Sequence, residues 1–336
     1  RDTAGNIGGS ASDNISLETV VPDNTTVSIN SGDNLTKLTA VTLKLGASDS
    51  NKVKGYYASE QTSTPALSNF IQVTESTLYS DNVSFNLSSG DGVKRVYVWF
   101  RDKAGNISNS VSDNITLDQT APVLAEVTAV PLLDNDSTPN YIFSSTETGT
   151  LSYGGSCSSA TTQANENNNT ITLNTLAEGT YDNCTLSVTD SAVNISDNLS
   201  FTTFTVDLTT PALSLVSAVS TYTNDTTPNL TFSSSENGTI SYGGSCSSST
   251  TQAISGNNVV TFSTLTEGTY DNCTISVVDA ARNLSGALTV DNFTIDVTSP
   301  TLSLGSPSSS LTKSGPVTFS VSYTGASTVS LSTDNV

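Results

Sequence analysis

The chain has 336 residues, a formal net charge of −20 and no histidine, and only 12% of its residues are charged. The acidity therefore reflects a shortage of Lys and Arg rather than a disordered polyacid. It disfavours binding to nucleic acid or to an anionic membrane surface, and no apolar run approaches the roughly 18 residues of a membrane span. Without His, neither a Ser-His-Asp nor a Cys-His device can be assembled from these residues. No pair of carboxylates is singled out by its spacing for acid–base work, and no glycine loop follows a strand–helix pattern. A non-catalytic role is expected. Ser, Thr, Asn, Val and Gly dominate, and apolar residues alternate, as in Val83-Phe85-Leu87 and Val96-Val98-Phe100. This points to an all-β chain.

In chain order, residues 1–17 (RDTAGNIGGSASDNISL) match residues 101–117 (RDKAGNISNSVSDNITL) almost position for position. They are expected to be the closing strands of a preceding domain. A seam follows, ETVVP at Glu18–Pro22, which returns as DQTAP at Asp118–Pro122, DLTTP at Asp207–Pro211 and DVTSP at Asp296–Pro300. The prolines are spaced by 100, 89 and 89 residues, the signature of a tandem array. Domains are therefore expected over 18–117, 118–206 and 207–295, with 296–336 opening another. In the first, strands are expected near Thr26–Asn30, Ala40–Leu45, Val53–Ala58, Phe70–Thr74, Asn82–Leu87, Val93–Arg101 and Val111–Leu117. Seven short strands separated by Gly, Asn, Asp and Ser indicate a β-sandwich. Gly105 is expected to take a positive φ in the turn before the last strand.

The next two domains are near copies at an offset of 89 residues, as in GTLSYGGSCSSATTQA (149–164) against GTISYGGSCSSSTTQA (238–253). Tyr181 and Tyr270, in EGTY, stand where a sandwich places a tyrosine corner. Cys157 and Cys184, and Cys246 and Cys273, are each 27 residues apart within one copy. One pair per copy favours an intradomain disulfide over two buried thiols, and disulfides imply an oxidising, extracytoplasmic compartment. Zinc is disfavoured by the absence of His and of a CxxC spacing.

The D-x-T-x-P seams, together with DKAGNIS at Asp102, DSAVNIS at Asp190 and DAARNLS at Asp279, resemble the tandem Ig-like repeats of giant bacterial surface proteins and adhesins. The loops DNDSTP (134–139) and TNDTTP (223–228) fit the same pattern. The resemblance implies a string of Ig-like β-sandwiches in a secreted, cell-surface protein, acting as a spacer that projects a binding tip, with calcium at some domain junctions. Two copies depart from it by carrying Val193 and Arg282 in place of the AGN glycine. Partners are then neighbouring domains of the same chain, or other copies in a fibre. A self-assembling extracellular filament and a carbohydrate-binding accessory module are the alternatives.

Three surface features follow. Asp102, Asp118, Asp190, Asp207, Asp279 and Asp296 are candidate interdomain calcium ligands, since Ca²⁺ takes clustered hard oxygens; the alternative is that each hydrogen-bonds its own turn. If Val96, Val98 and Phe100 face the core, Tyr97 and Trp99 face outward, flanked by Arg95 and Arg101. This patch has the composition of a contact surface, unless a loop of the same domain covers it. About eighteen Asn-x-Ser/Thr sequons occur, including Asn86, Asn114, Asn198 and Asn292, many of them expected from composition alone.

Overall fold

The computed structural model describes residues 1–10, 12–310 and 313–330. It is all-β: the described residues contain strands, turns and one short 3₁₀ turn at Leu67–Asn69. The chain separates into two compact units, one of Arg1–Ala129, Asn140–Asn174 and Asp182–Thr202, the other of Val130–Pro139, Thr175–Tyr181 and Thr203–Val336.

In the first unit, residues 18–117 form six strands: β1 (Asp23–Ile29), β2 (Leu35–Thr36), β3 (Ala40–Ser59), β4 (Ile71–Asn86), β5 (Gly92–Asp102) and β6 (Val111–Leu117). Their order is β1-β3-β5-β6-β2, with β4 on β3. β2 runs parallel to β6 and the other pairs are antiparallel. The seven separate strands expected from the sequence are partly fused. Ala40–Leu45 and Val53–Ala58 are the two halves of the 20-residue β3, and the next two expected strands lie largely within the 16-residue β4. The polar stretch between the halves does not end the strand. It is accommodated by register shifts between Ser48 and Val53 and between Val53 and Gly55, the irregularity that lets a strand bend without losing its ladder. The first half of β3 then pairs with β1 and the second with β5. Ile29, Leu43, Leu45, Val96, Val98, Phe100 and Ile115 are buried together in one core. No cysteine lies here. Ring contacts fill the place of a crosslink, with Tyr79 against Tyr56 at 6.4 Å and against Phe100 at 6.1 Å.

Among the described residues of 1–17, no strand is assigned where the closing strands are expected. Asp2 holds its turn through hydrogen bonds from Ala4 and Asn6, but no strand is assigned beyond it. Ile15 and Leu17 are 99% and 91% exposed, whereas the matching Ile115 and Leu117 are fully buried. A strand is stabilised by cross-strand partners, and among the described residues no strand pairs with this segment.

The second unit contains the whole of the third repeat. Leu213–Ser217, Asn229–Ser234 and Gly256–Thr261 form one sheet. Gln252–Ala253, Gly238–Gly243, Thr274–Val278 and Leu288–Thr289 form another. Tyr222–Thr223 pairs in parallel with Phe293–Ile295, which also takes Gly268–Tyr270. Leu230, Phe232 and Val260 of the first sheet share a core with Ile240, Ile275 and Val277 of the second. This is an Ig-like sandwich, with antiparallel sheets face to face. The equivalent sheets of the second repeat in the first unit are Leu124–Thr128 with Asn140–Ser145 and Asn167–Thr172, and Gly149–Gly154 with Gln163–Ala164, Thr185–Thr189 and Leu199–Ser200. In the second unit, Leu133–Asp134 pairs in parallel with Phe204–Val206, which also takes Gly179–Tyr181. Thr301–Pro307 and Phe319–Thr324 pair as an exposed two-stranded ladder.

Both expected disulfides are formed, Cys157–Cys184 and Cys246–Cys273, with Cα separations of 5.2 and 5.3 Å. The YGG turn before each explains its second glycine. Gly155 has φ +73°, and a Cβ there would lie 1.9 Å from the Asn183 carbonyl oxygen. The tyrosine corners are made as expected: the Tyr181 hydroxyl donates to Ala177 O at 2.9 Å and the Tyr270 hydroxyl to Thr266 O at 3.0 Å.

Gly105 takes φ +101°, but Val193 and Arg282 hold the same left-handed turn at +69° and +77°. For a β-branched residue this costs about 1–2 kcal/mol. Val193→Gly is therefore expected to stabilise the second repeat by about 1 kcal/mol after its own entropy cost, read as a later urea midpoint. Replacing Cys157 and Cys184 together by Ser should cost roughly 3.5 kcal/mol for a loop of this length and move the midpoint the other way.

Candidate functional site

The three D-x-T-x-P seams are built by the same contacts each time. The backbone N–H of the seam aspartate extends the ladder of the repeat before it: Asp118 donates to Thr36 O, Asp207 to Asp134 O and Asp296 to Thr223 O, each at 2.9 Å. The carboxylate then accepts from the threonine two residues on. Thr120 N–H reaches Asp118 at 3.2 Å, Thr209 reaches Asp207 at 3.1 Å and Thr298 reaches Asp296 at 3.0 Å. That threonine in turn donates its hydroxyl to an acid of the preceding repeat, Thr120 to Asp91, Thr209 to Glu178 at 2.7 Å and Thr298 to Glu267 at 2.8 Å. Asp91 also accepts from Gln119 N–H at 2.7 Å. The Thr120 hydroxyl, followed by that N–H, holds its carboxyl below the usual range. In D-x-T-x-P the aspartate thus shapes the linker, the threonine clasps the preceding repeat, and the proline fixes φ beyond it. At the Asp118 seam, Lys37 Nζ adds a bond to Val193 O at 2.8 Å.

The turn aspartates act locally as well. Asn194 N–H and Nδ2 donate to the two oxygens of Asp190 at 2.8 and 2.9 Å, and Asn283 does the same to Asp279. Each asparagine amide also reaches the seam of its own repeat: Asn194 donates to Asp118 O at 3.0 Å and Asn283 to Asp207 O at 2.8 Å. Asn106 donates to Glu18 O at 3.1 Å in the same way. The Asx-turn alternative is therefore observed.

The same geometry gathers carboxylates. One oxygen each from Asp118, Glu147 and Asp190 lie within 4.8 Å of one another, and so do oxygens of Asp207, Glu236 and Asp279. Two oxygens across a Ca²⁺ at its usual bond lengths lie no more than about 5 Å apart, so the donor set fits that ion. The second-repeat cluster lines a cleft of about 250 Å³ that also includes Glu166. Burial, and then the fields of Asp118 and Asp190, raise the Glu147 carboxyl above its usual range; burial with Asp207 and Asp279 does the same to Glu236. In the first repeat, Asp49 is 5% exposed and its Oδ2 has no hydrogen-bond partner. Its carboxyl is raised by burial and by Asp102, Glu18 and Asp23.

Two expectations are corrected. The acids meet within one repeat rather than across two, because the closing turn folds back onto the seam that opens its own repeat. Glu147 and Glu236 were missed, although both recur after the second long strand at the 89-residue offset. Asp296 gathers no such cluster among the described residues. The expected contact patch is also corrected. Tyr97 is half-buried and Arg95 exposed, but Trp99 is only 3% exposed. Its ring packs on Tyr57 at 6.0 Å and Tyr97 at 6.2 Å, Tyr57 packs on Phe70, and Arg101 lies 5.8 Å above the Phe70 ring. The connection from β3 to β4 brings in Phe70, itself 5% exposed, and covers this face with a second apolar layer.

No protein-family model and no curated protein matches the chain. Solved structures with some likeness include the D00–D0 domain of intimin, at TM-score 0.28 and 15% identity over 53% of this chain and 99% of that one. Others are fibronectin(III)-like modules of Clostridium thermocellum CbhA, at 0.31 and 10% over 54% and 94%, and a tetra-tandem repeat in the extending region of a large adhesion protein, at 0.24 and 18% over 90% and 88%. Scores and identities this low leave the chain's own residues as the basis for its function.

The sign of the pH dependence follows from the raised carboxyls. Between the unfolded and folded values the native state binds more protons, so stability falls as pH rises through that window. In metal-free buffer, Glu147→Gln is expected to melt higher than the parent at pH 7. The difference should vanish as pH drops below the ordinary carboxylate value, as checked by melting curves across pH.

Proposed function

We propose that this chain is a non-catalytic spacer segment of a large secreted bacterial surface protein, extending a distal adhesive or binding region away from the cell. The observation that carries this reading is the threonine clasp, made by the same residue types at Asp118, Asp207 and Asp296. Each clasp ties a repeat to the linker that follows it, which limits bending where a plain linker would be free. The disulfides support a location outside the reducing cytoplasm. No helix among the described residues is long and apolar enough to cross a membrane.

Calcium is the cofactor assigned to the clusters in this reading. Asp118, Glu147 and Asp190 hold it in the second repeat, and Asp207, Glu236 and Asp279 in the third. Arg282 is the only Lys or Arg between residues 118 and 295, so little competes with a cation for these carboxylates. A bound ion would relieve their mutual repulsion and stiffen the base of the second and third repeats.

Extracellular modules bind Ca²⁺ with Kd on the order of 10⁻⁴–10⁻³ M, so 10 mM Ca²⁺ should add roughly 1.4–2.7 kcal/mol per site. A rise of several degrees in Tm over the chelated protein is expected, and an unchanged Tm removes the metal from this account. Electron microscopy of the purified chain tests the spacer role itself. Isolated thin strings are expected; ordered lateral arrays with chain-to-chain interfaces above about 1,000 Å² would establish a filament subunit in its place.

A further inference from the structure

The first repeat buries an acid that lacks a full set of partners. Asp49 lies where β3 passes from its pairing with β1 to its pairing with β5. Its Oδ1 accepts from Asn51 N–H at 2.6 Å, while its buried Oδ2 has no hydrogen-bond partner. A carboxylate 5% exposed is costly unless it is paired, fully hydrogen-bonded or on a metal. The lysines that follow it on β3, Lys52 and Lys54, turn to Glu75 at 4.0 and 3.5 Å. The charges that act on Asp49 are those of Asp102, Glu18 and Asp23, all acidic. Backbone register brings them there. Val53 pairs with Asp102, and Lys103 N–H donates to Lys52 O at 3.2 Å, so the closing turn stands beside the irregular part of β3. Asn106 Nδ2 donates to Asp102 Oδ2 at 2.9 Å and to Glu18 O at 3.1 Å, which holds the opening seam against that turn. Asp49 takes the place that Glu147 has in the second repeat. Asp23 and Ser48 pair just before it, as Leu124 and Ser145 pair just before Glu147.

We propose that the first repeat holds a divalent-cation site of its own, with Asp49 Oδ2 as the principal ligand, Asp102 and Glu18 as the other carboxylates, and Ca²⁺ as the ion. The proposal shares the calcium reading of the other two repeats but stands on a separate observation, the unpartnered Asp49 oxygen. The donor set selects the ion. Carboxylate oxygens without nitrogen or sulfur suit a hard cation, and the chain has no His to offer. Among the described residues the three carboxylates do not close to the 4.8 Å spacing of the other two clusters. Binding draws in Glu18, the longest of the three side chains and the least buried. Ca²⁺ accepts such a set, because it takes about six to eight oxygens in irregular geometry, whereas Mg²⁺ demands a near-ideal octahedron. Bound there, the ion joins the opening seam, the middle of β3 and the closing turn of one repeat, the three places that no disulfide ties in this domain.

Terbium(III), a luminescent stand-in for Ca²⁺, tests this on the 336-residue chain. Trp99 is the only tryptophan and lies three positions from Asp102 on β5, about 10 Å along the strand. The Asp118 seam is farther off: Leu117 pairs with Gly92, seven positions from Trp99 and about 23 Å along β5. Emission excited through tryptophan alone therefore reports on the first repeat. Such emission is expected, and Ca²⁺ should displace the terbium where equimolar Mg²⁺ does not. Asp49→Asn should weaken both Tb³⁺ and Ca²⁺ at this site about tenfold or more, and titration calorimetry should lose one Ca²⁺ per chain. Melting curves in chelator establish that the variant folds, and Glu18→Gln, at the half-buried edge, replaces it if it does not. Absence of tryptophan-sensitised emission overturns the proposal, and so does emission unchanged in the folded variant. Equal numbers of Ca²⁺ on parent and variant overturn it too, and leave the sites of the other two repeats standing. A single Ca²⁺ on the parent, lost in the variant, supports it while removing calcium from those repeats.

Discussion

A threonine hydroxyl held by an acid from the preceding repeat is the contact on which the spacer reading of this chain depends. Thr120, Thr209 and Thr298 each make it, to Asp91, Glu178 and Glu267. Individually each is a solvent-accessible, charge-assisted hydrogen bond of modest strength. Its effect comes from position. The same linker is already fixed by the aspartate N–H in the preceding ladder, by the aspartate carboxylate on the threonine N–H, and by the proline. These constraints act within five residues, and the hydroxyl contact closes off the freedom they leave.

The seam also organises the repeat that follows it. The closing turn returns an asparagine amide to the seam carbonyl, and this brings Asp190 beside Asp118 and Asp279 beside Asp207. Local turn chemistry and a metal-fitting cluster are therefore consequences of one geometry. A carboxylate that accepts from its own turn keeps lone pairs for a cation, and burial, then the neighbouring aspartates, raise the carboxyls of Glu147 and Glu236. Stability elsewhere is arranged by different means in different repeats. Disulfides pin the second and third, while stacked and tilted rings of Tyr56, Tyr79 and Phe100 fill the first.

Much of this was legible in the sequence, for physical reasons that also mark its limits. Alternation placed Val96, Val98 and Phe100 in the core, and identical spacing paired the cysteines, because strand period and repeat offset are both written along the chain. Alternation could not say what lies over the outward face. Trp99 is covered by a segment about thirty residues earlier, and only the path of the β3–β4 connection decides that. Polar residues between Leu45 and Val53 suggested a break, but a register shift in a long strand tolerates them. Glu147 and Glu236 were visible as a repeated acid, yet their approach to the seam depends on how the second long strand turns. The seam threonine recurs in three copies, but its partner lies in a loop that differs between Asp91 and Glu178.

The spacer account stands on whether these restricted linkers keep the repeats extended in solution. Small-angle X-ray scattering of the parent chain tests this most directly. Sandwiches of about 40 Å joined in line predict a maximum dimension above about 100 Å. A radius of gyration near 20 Å, as expected for a single globule of about 336 residues, would contradict it.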